Sequence, residues 1–575
     1  MAGEPIGLYY QDGTKDILIE EALRIEGIPY LRLKGLGGLV ESGLRGLIIG
    51  EEADVGRWLD EVERFLNGGG ALLTFKPSGG LVEVLGITDT GGSQIDGYVN
   101  IRGGEASTLT SYKGRLQIFG LSRLYRGGEV IATLTPEEDF GGVLRVRKGL
   151  GVAIAVAFDM PRTILMLQQP DSDCGKALDT WRVEDGLERI PQLDLMRRLI
   201  FGLFLKAVGI PIPRKWYFPD GSMALLLIGG DQDGCGYDEM GVVLGLMREL
   251  GAPYTLFVTP WEQPMSREQL RRLVEAGVDM GFHPNFFKDG KKVWDGDGRR
   301  AVQTAGPYFK EEEFLRQLRR GEADIGGRFL GVRTHGLRWG TVKDLPIWME
   351  RAGLQYDSTL GHKCTEGSAD VVGYSLGTGL PFYFIDPEVY RRIDVIEMPM
   401  LSSDYSLFRE RHRYIVRIRE GHEGRFYMGL GLSEDEAFNL ARDILDDATD
   451  RYHTVNCYCW HPIYLASRAL GRSHHPSDRF FSKLIKYAKD RGVRLMDHGG
   501  WNRYWRARET VEIRDVDWNP EAGTLRFLAS CGEAVRGLTL IVPFSCGNWV
   551  KVSEVRVDGE PHKYRRVHVL GLDHA

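Results

Sequence analysis

The stretch LLLIGGDQDG, residues 225–234, runs apolar for four residues, passes through two glycines and ends in two acids, Asp231 and Asp233. A continuous apolar run this short reads as a strand buried on both faces, the kind that parallel sheets use. The sequence after it keeps a regular beat. Met240–Leu250 has helical spacing and stops at Gly251, Tyr254–Val258 is an apolar run, Arg267–Ala276 is helical and stops at Gly277, and Val278–Phe282 is apolar again. The alternation continues to about Met496. Repeated βα units over about 300 residues predict an α/β fold whose centre, residues 216–505, is a closed or nearly closed (β/α) barrel. Such a barrel places its chemistry at the carboxyl ends of its strands.

Upstream, residues 1–212 also alternate. Ile6–Tyr10, Arg45–Gly50 and Ala71–Phe75 read as strands, and Ile17–Glu26 and Val55–Leu66 as helices. The order βαβαβ predicts a parallel sheet with helices on both faces. With its helix end, glycine stop and apolar strand, Phe65–Phe75 resembles the glutamine-amidotransferase-like, flavodoxin-type domain. In that family a nucleophilic Cys stands on the turn after the strand. Here the turn is Lys76-Pro77-Ser78, and no Cys occurs before Cys174, so no amidotransferase chemistry is expected. Pro191–Val208 reads as a helix. The proline-punctuated IPIPRK, residues 210–215, cannot continue it and marks a boundary. Downstream, residues 506–575 carry short strand candidates separated by turn residues, which predicts a small β-sandwich.

The chain has 575 residues, a net charge of −7 and seven cysteines. The length suits three or four domains at about 100–200 residues each. The charge argues against a nucleic-acid binder. No run of about 20 apolar residues occurs, so no membrane span is expected. The start MAGEPIGLYYQDG lacks the pattern of a secretory signal. A cytoplasmic protein is the simplest reading; an exported mature chain would look the same. Cys457 and Cys459, one residue apart in a strand, read as reduced core thiols.

Four strand ends in the central segment finish in polar residues. The first is Asp231 with Asp233. The second is VDMGFHPNFF, with His283 and Asn285. The third is GVRTHGLRW, where Arg333 and His335 lie two apart and face one side. The fourth is VNCYCWHPIYL, with His461. A single strand-end histidine is ordinarily structural, but two His-Pro ends, an Arg-x-His and an Asp-x-Asp within one βα segment form a constellation. Two acids this close need a cation beside them, because like charges disfavour joint ionisation.

This set resembles the polysaccharide deacetylase family, the NodB-homology domain of carbohydrate esterase family four, across about half the chain. The resemblance implies a metal-dependent hydrolase that removes an acyl group from a carbohydrate. It makes Asp231 the base and Asp233 a metal ligand, an order that could be reversed because Gln232 separates residues the family keeps adjacent. It makes His283 a ligand, Arg333 the partner of the base and His461 the general acid. The family's second motif carries another His four residues on, where this chain has Phe287. His335 is the candidate replacement ligand; otherwise it holds a loop or contacts substrate. One Asp and two His favour a divalent ion, zinc by ligand type, with cobalt, nickel, manganese or iron also accommodated.

Asn285, Trp339, Trp460 and Tyr464 are the candidate substrate contacts, with core packing the alternative for the aromatic side chains. Asp357 is a candidate partner of the site, Glu397 reads as structural, and His474 with His475 reads as a solvated pair. Two rival functions stay open: an inactive barrel that binds carbohydrate or protein, and a hydrolase of a non-sugar amide. Oligomerisation also stays open.

Overall fold

The computed structural model describes residues 4–169, 187–261, 263–286, 293–294, 301–304, 310–337, 339, 343–361, 371–410, 412–419, 422–543 and 552–575. Phe287 and Cys174 lie outside the described residues.

The apolar run at residue 225 forms the strand Leu225–Asp231, buried along its whole length. It pairs in parallel with Val455–Cys459 on one side. On the other side its first half meets Arg494–Met496 and its second half Thr255–Val258. Parallel pairing then passes through Asp279–Phe282, Gly331–Val332 and Tyr356–Asp357 to Arg391–Glu397. Past Glu397 the chain bridges Met400 to Gly361 and reaches Ser402–Ser403, which pairs with Val455–Cys459. In the resulting order Phe382–Asp386 stands at one end of the sheet and Ser402–Ser403 at the other. Phe382–Asp386 joins antiparallel to Arg391–Glu397.

Helices alternate with these strands. Tyr237–Leu250 ends at Gly251, whose φ of 58° is the left-handed stop that glycine supplies. Arg267–Glu275 starts at Ser266, whose Oγ accepts from the Gln269 N–H at 3.2 Å. Because the strands around this path are parallel, their carboxyl ends gather at one end of it.

In the N-terminal part, Leu31–Arg32, Ile6–Tyr9, Gly46–Ile49, Ala71–Phe75 and Gly151–Val156 lie side by side in that order, all parallel. Numbered along the chain, the five parallel strands run 2-1-3-4-5, an order that doubly wound sheets use. The sheet then continues antiparallel through Gly141–Lys148, Glu129–Thr135, Thr88–Ile101 and Gly114–Arg126. This extension departs from the all-parallel expectation. Its longest strand begins TDTGGSQIDG and is largely exposed over that stretch, so it lacks the apolar signature of a buried strand. At the turn after Ala71–Phe75, Lys76 has a φ of 41°. Its ammonium pairs with Glu51 at 2.6 Å and Asp159 at 3.2 Å, and Lys15 pairs with the same two acids.

Buried polar contacts fasten this part to the central one. On the helix Gln192–Val208, the Asp194 carboxylate accepts from Thr378 Oγ1 at 2.6 Å, the Gly379 N–H at 3.0 Å and Arg197 at 2.5 Å. Glu26 accepts from Tyr217 at 2.6 Å and from Arg197 at 3.2 Å. Arg508 donates to the backbone carbonyls of Ile25, Lys215 and Trp216.

The C-terminal segment is built of short antiparallel pairs among its described residues. Among the described residues its strands pair as Glu512–Asn519 with Thr524–Ser530, Val555–Val557 with Glu560–His562, Val567–Val569 with Leu572–His574, and Leu540–Ile541 with Arg214–Lys215, and a bridge from Pro543 to His574 links the last two pairs. The strand Thr524–Ser530 has no buried residue, so there is little apolar surface to hold two layers together. Among the described residues, no helix is long and apolar enough to cross a membrane.

Candidate active site

Asp231 is the last residue of its strand. Asp233 follows with a φ of 36°, a left-handed conformation that costs a non-glycine residue energy and is concentrated at functional sites. His283 and Arg333 each directly follow a strand, His335 comes two residues after Arg333, and His461 follows Val455–Cys459 by two. The parallel pairing brings these strand ends together.

The centre of the arrangement is the Asp233 carboxylate. Its Oδ1 lies 3.3 Å from His283 Nε2 and 3.7 Å from His335 Nε2, and its Oδ2 lies 3.5 Å from His461 Nε2. Each imidazole has its other nitrogen against an acceptor. His283 Nδ1 meets the Arg333 carbonyl at 2.6 Å, His461 Nδ1 the Asp404 carboxylate at 2.5 Å, and His335 Nδ1 the Asn285 Oδ1 at 3.3 Å. Nδ1 must therefore donate in all three, and a neutral ring then turns its Nε2 lone pair toward Asp233. Lone pairs facing a carboxylate repel unless a proton or a metal ion stands between them.

Burial pushes the Asp233 carboxyl up, but the His283 hydrogen bond and the neighbouring imidazoles hold it well below the usual carboxylate range. Burial pulls His283 down, yet Asp231 and Asp233 leave it raised. His461 is also buried, and Cys459 and Asp404 push it well above the ordinary imidazole value. The Asp404 contact carries that rise, because burial keeps the Cys459 thiol itself protonated. A carbonyl, an amide oxygen or a carboxylate behind each ring is the support that metal-binding histidines usually have. The donor set fits a divalent ion.

Asp231 has a different environment. Its Oδ1 receives Arg333 Nη1 at 3.2 Å and its Oδ2 lies 3.8 Å from His283 Nε2. Arg333 is fully buried, and Phe257 covers its guanidinium at 4.2 Å. Among the described residues, the group whose ligand-type atoms all lie within 4.8 Å of one another is Asp231, Cys459 and His461. Cys459 Sγ, however, is 3.9 Å from both ring nitrogens of His461, so it lies off the Nε2 lone-pair axis, and Asp231 is held by Arg333. The ligand atoms around Asp233 do not all lie within 4.8 Å of one another, although each imidazole there turns its Nε2 toward the carboxylate.

No family model matches the chain, and no curated protein matches it. Solved structures do. A protein from Mycobacterium smegmatis assigned as a polysaccharide deacetylase is similar at 17% identity and a TM-score of 0.34, over 53% of this chain and 97% of its own. Puue allantoinase is similar at 14% identity and a TM-score of 0.34, over 51% of this chain and 93% of its own. A beta-galactosidase from Bacillus circulans sp. alkalophilus is similar at 15% identity and a TM-score of 0.23, over 29% of this chain and 33% of its own. Likenesses this distant carry no argument about activity.

Three of the expected substrate contacts need correction. Trp460 is wholly buried and packs against Phe480 and Phe481 at centroid distances of 4.9 and 4.8 Å. Trp339 is buried and stacked on Phe384 at 5.3 Å. Asn285 is also buried; its Oδ1 serves His335, and its backbone is bracketed by Gln317 at 2.8 and 2.7 Å. Tyr464 is half-buried beside His461, at a ring distance of 5.4 Å. His475, expected in solvent, stacks on Tyr464 at 4.2 Å and 12°. Trp261 lies against His335 at 5.1 Å.

Asp404 and His498 join this region without any local signal in the sequence. Asp404 starts a short helix, where an acid ordinarily reads as a helix-end charge. Asp357 is buried, accepts from Thr359 and is pushed up to about 6 by burial, with Glu397 as its carboxyl neighbour. Thr359 Oγ1 in turn accepts from the Thr334 N–H at 2.9 Å, between Arg333 and His335. Cys457 and Cys459 are buried free thiols.

Proposed function

We propose that this chain is a metal-dependent hydrolase that removes an acyl group, acetyl in the simplest case, from a carbohydrate or related amide or ester. In this reading residues 216–505 form a (β/α) barrel of the deacetylase type. Residues 1–212 form a flavodoxin-type unit without amidotransferase chemistry, and residues 506–575 form a small β domain. The observation that carries the reading is the convergence of three imidazole Nε2 atoms on Asp233, next to a second carboxylate clamped by a buried arginine.

Asp233, His283 and His335 would hold the ion, an incomplete ligand set of the catalytic type, with zinc the metal that best suits it. Such an ion supplies Lewis acidity toward an acyl oxygen and toward water. Asp231 accepts the proton of the attacking water, and Arg333 aims that carboxylate. His461, its Nδ1 tied to Asp404, presents Nε2 to protonate the departing nitrogen or oxygen. The half-exposed rings of Tyr464, His475, Tyr405 and Trp261 near His461 and His335 offer faces on which a sugar can stack.

Metal analysis of the purified protein tests this first. About one divalent ion per chain is expected to survive dialysis and to be lost in His283→Ala. Hydrolysis of 4-nitrophenyl acetate and of N-acetylated sugars should stop with a chelator and return with added zinc. A protein with neither ion nor turnover would be an inactive binding barrel.

A further expectation concerns Asp404, whose second oxygen accepts from the His461 N–H at 2.9 Å and from Ser477 at 2.8 Å. In Asp404→Asn the His461 ring loses its anionic partner. kcat should fall about 10²–10⁴-fold, the range of a positioned acid, with KM and bound metal unchanged. Loss of metal instead would move His461 from the acid role to the ligand set.

A further inference from the structure

Beneath Arg333 lies a histidine that the mechanism above does not use. His498 is the first residue of the helix His498–Glu509 and is completely buried. The Asp497 side chain caps that helix by accepting from the Gly500 N–H at 2.5 Å. The His498 N–H is held by Thr255 Oγ1 at 2.9 Å, and its ring lies edge-on to Phe257 at 5.1 Å. The helix thus inserts an imidazole between the strands, on the side of Arg333 away from the mouth.

His498 Nε2 lies 3.1 Å from Arg333 Nη2. A guanidinium only donates, so Nε2 must accept and the ring proton must sit on Nδ1. Burial and the arginine's own charge both hold this imidazole well below its ordinary value, which keeps it neutral. Its Nδ1 has no hydrogen-bond partner among the described residues. A buried donor without an acceptor is destabilising, so the ring is kept at the expense of stability. The neighbouring strand makes room for it: a Cβ on Gly229 would come within 3.0 Å of both Cε1 and Nδ1 of His498.

The contacts of Arg333 show what the ring does. Nε donates to the Ser358 carbonyl at 2.9 Å, Nη2 donates to Ser358 Oγ at 3.0 Å and to His498 Nε2, and Nη1 donates to Asp231 at 3.2 Å. Both Nη2 protons are taken by Ser358 and His498, which fixes the guanidinium plane and leaves Nη1 facing Asp231. Cys457 Sγ, 3.5 Å from His498 Nε2 and 3.9 Å from Nη2, closes the group.

We propose that His498 is a positioning residue: its neutral Nε2 holds Arg333 in the one orientation that clamps Asp231. The inference rests on the hydrolase reading for its kinetic consequence but not for its structural one. Its test compares His498→Gln, whose amide oxygen can reach the place of Nε2, with His498→Asn and His498→Met, which withdraw the acceptor. Outer partners of this kind are typically worth about 10–100-fold. That loss in kcat is expected for Asn and Met, with KM and metal content unchanged, while Gln restores most of the rate. If Met fails to fold, the Asn variant carries the comparison.

Crystal structures of the parent and the Asn variant give a readout separate from turnover, with the guanidinium expected to swing away from Asp231 in the variant. An unmoved Arg333, or equal rates for Gln, Asn and Met, would overturn the proposal. A parent enzyme that hydrolyses nothing, together with a displaced Arg333 in the variant, would sink the hydrolase reading and leave His498 as the arginine's support.

Discussion

Asp231→Asn is expected to keep its metal and lose nearly all of its turnover. The substitution preserves shape and one oxygen for Arg333 Nη1, which stands 3.2 Å from Oδ1, but removes the group that accepts the proton from water. The loss in kcat should reach about 10²–10⁴-fold, the range a positioned general base supplies. KM should change little, since the step affected is proton transfer and not binding. Asp233→Asn should behave in the opposite order, losing metal first and activity as a consequence, because Asp233 is the carboxylate on which His283, His335 and His461 converge. Measuring metal stoichiometry alongside kcat for both variants separates base from ligand. If Asp231→Asn loses the ion and Asp233→Asn retains it, the two roles are exchanged.

Gly230→Ala should unfold the site although it adds a single methyl group. A Cβ at residue 230 would stand 1.6 Å from the Trp460 carbonyl oxygen and 2.5 Å from the Tyr254 hydroxyl. The first of these is backbone on the adjacent strand segment and cannot turn aside. Leu225–Asp231 and the chain around Trp460 would have to separate, and they carry Asp231 on one side and His461 on the other. Tyr254 would also lose its 2.6 Å bond to that carbonyl. Destabilisation beyond about 4 kcal/mol is expected, the size that marks overpacking with broken buried polar contacts. Urea unfolding followed by fluorescence measures it. A Gly230→Ala protein with parental stability would mean that the two strands leave room for a methyl group at this position.

Much of the architecture is legible in the chain before any coordinates. Parallel strands buried on both faces must be largely apolar, so LLLI at 225–228 stands out, and so does VNCYC at 455–459 apart from Asn456, and glycines such as Gly251 and Gly353 mark where helices stop. Polar residues at the ends of such runs are conspicuous because nothing apolar surrounds them in sequence. That is why Asp231, Asp233, His283, Arg333, His335 and His461 could be picked out together. The strands at 88–101 and 114–126 carry no clean pattern, because the first is largely exposed over its first ten residues and both are interrupted by glycines and by shifts in register. The aromatic residues misled for a related reason. Trp339 and Trp460 neighbour site residues in sequence, but which way an indole turns depends on what packs behind it.

Order along the chain could set which residue types stand at strand ends, since local periodicity is a property of consecutive residues. It could not set which groups meet across the molecule. The Asp404 carboxylate reaches His461 from 57 positions away, and His498 reaches Arg333 from 165. The glycines at 229 and 230 answer to neighbours on other segments, His498 and the Trp460 carbonyl. Lone-pair direction, steric clearance and charge pairing act through space over a few ångströms, so those parts of the site exist only once the parallel strands have brought their ends together.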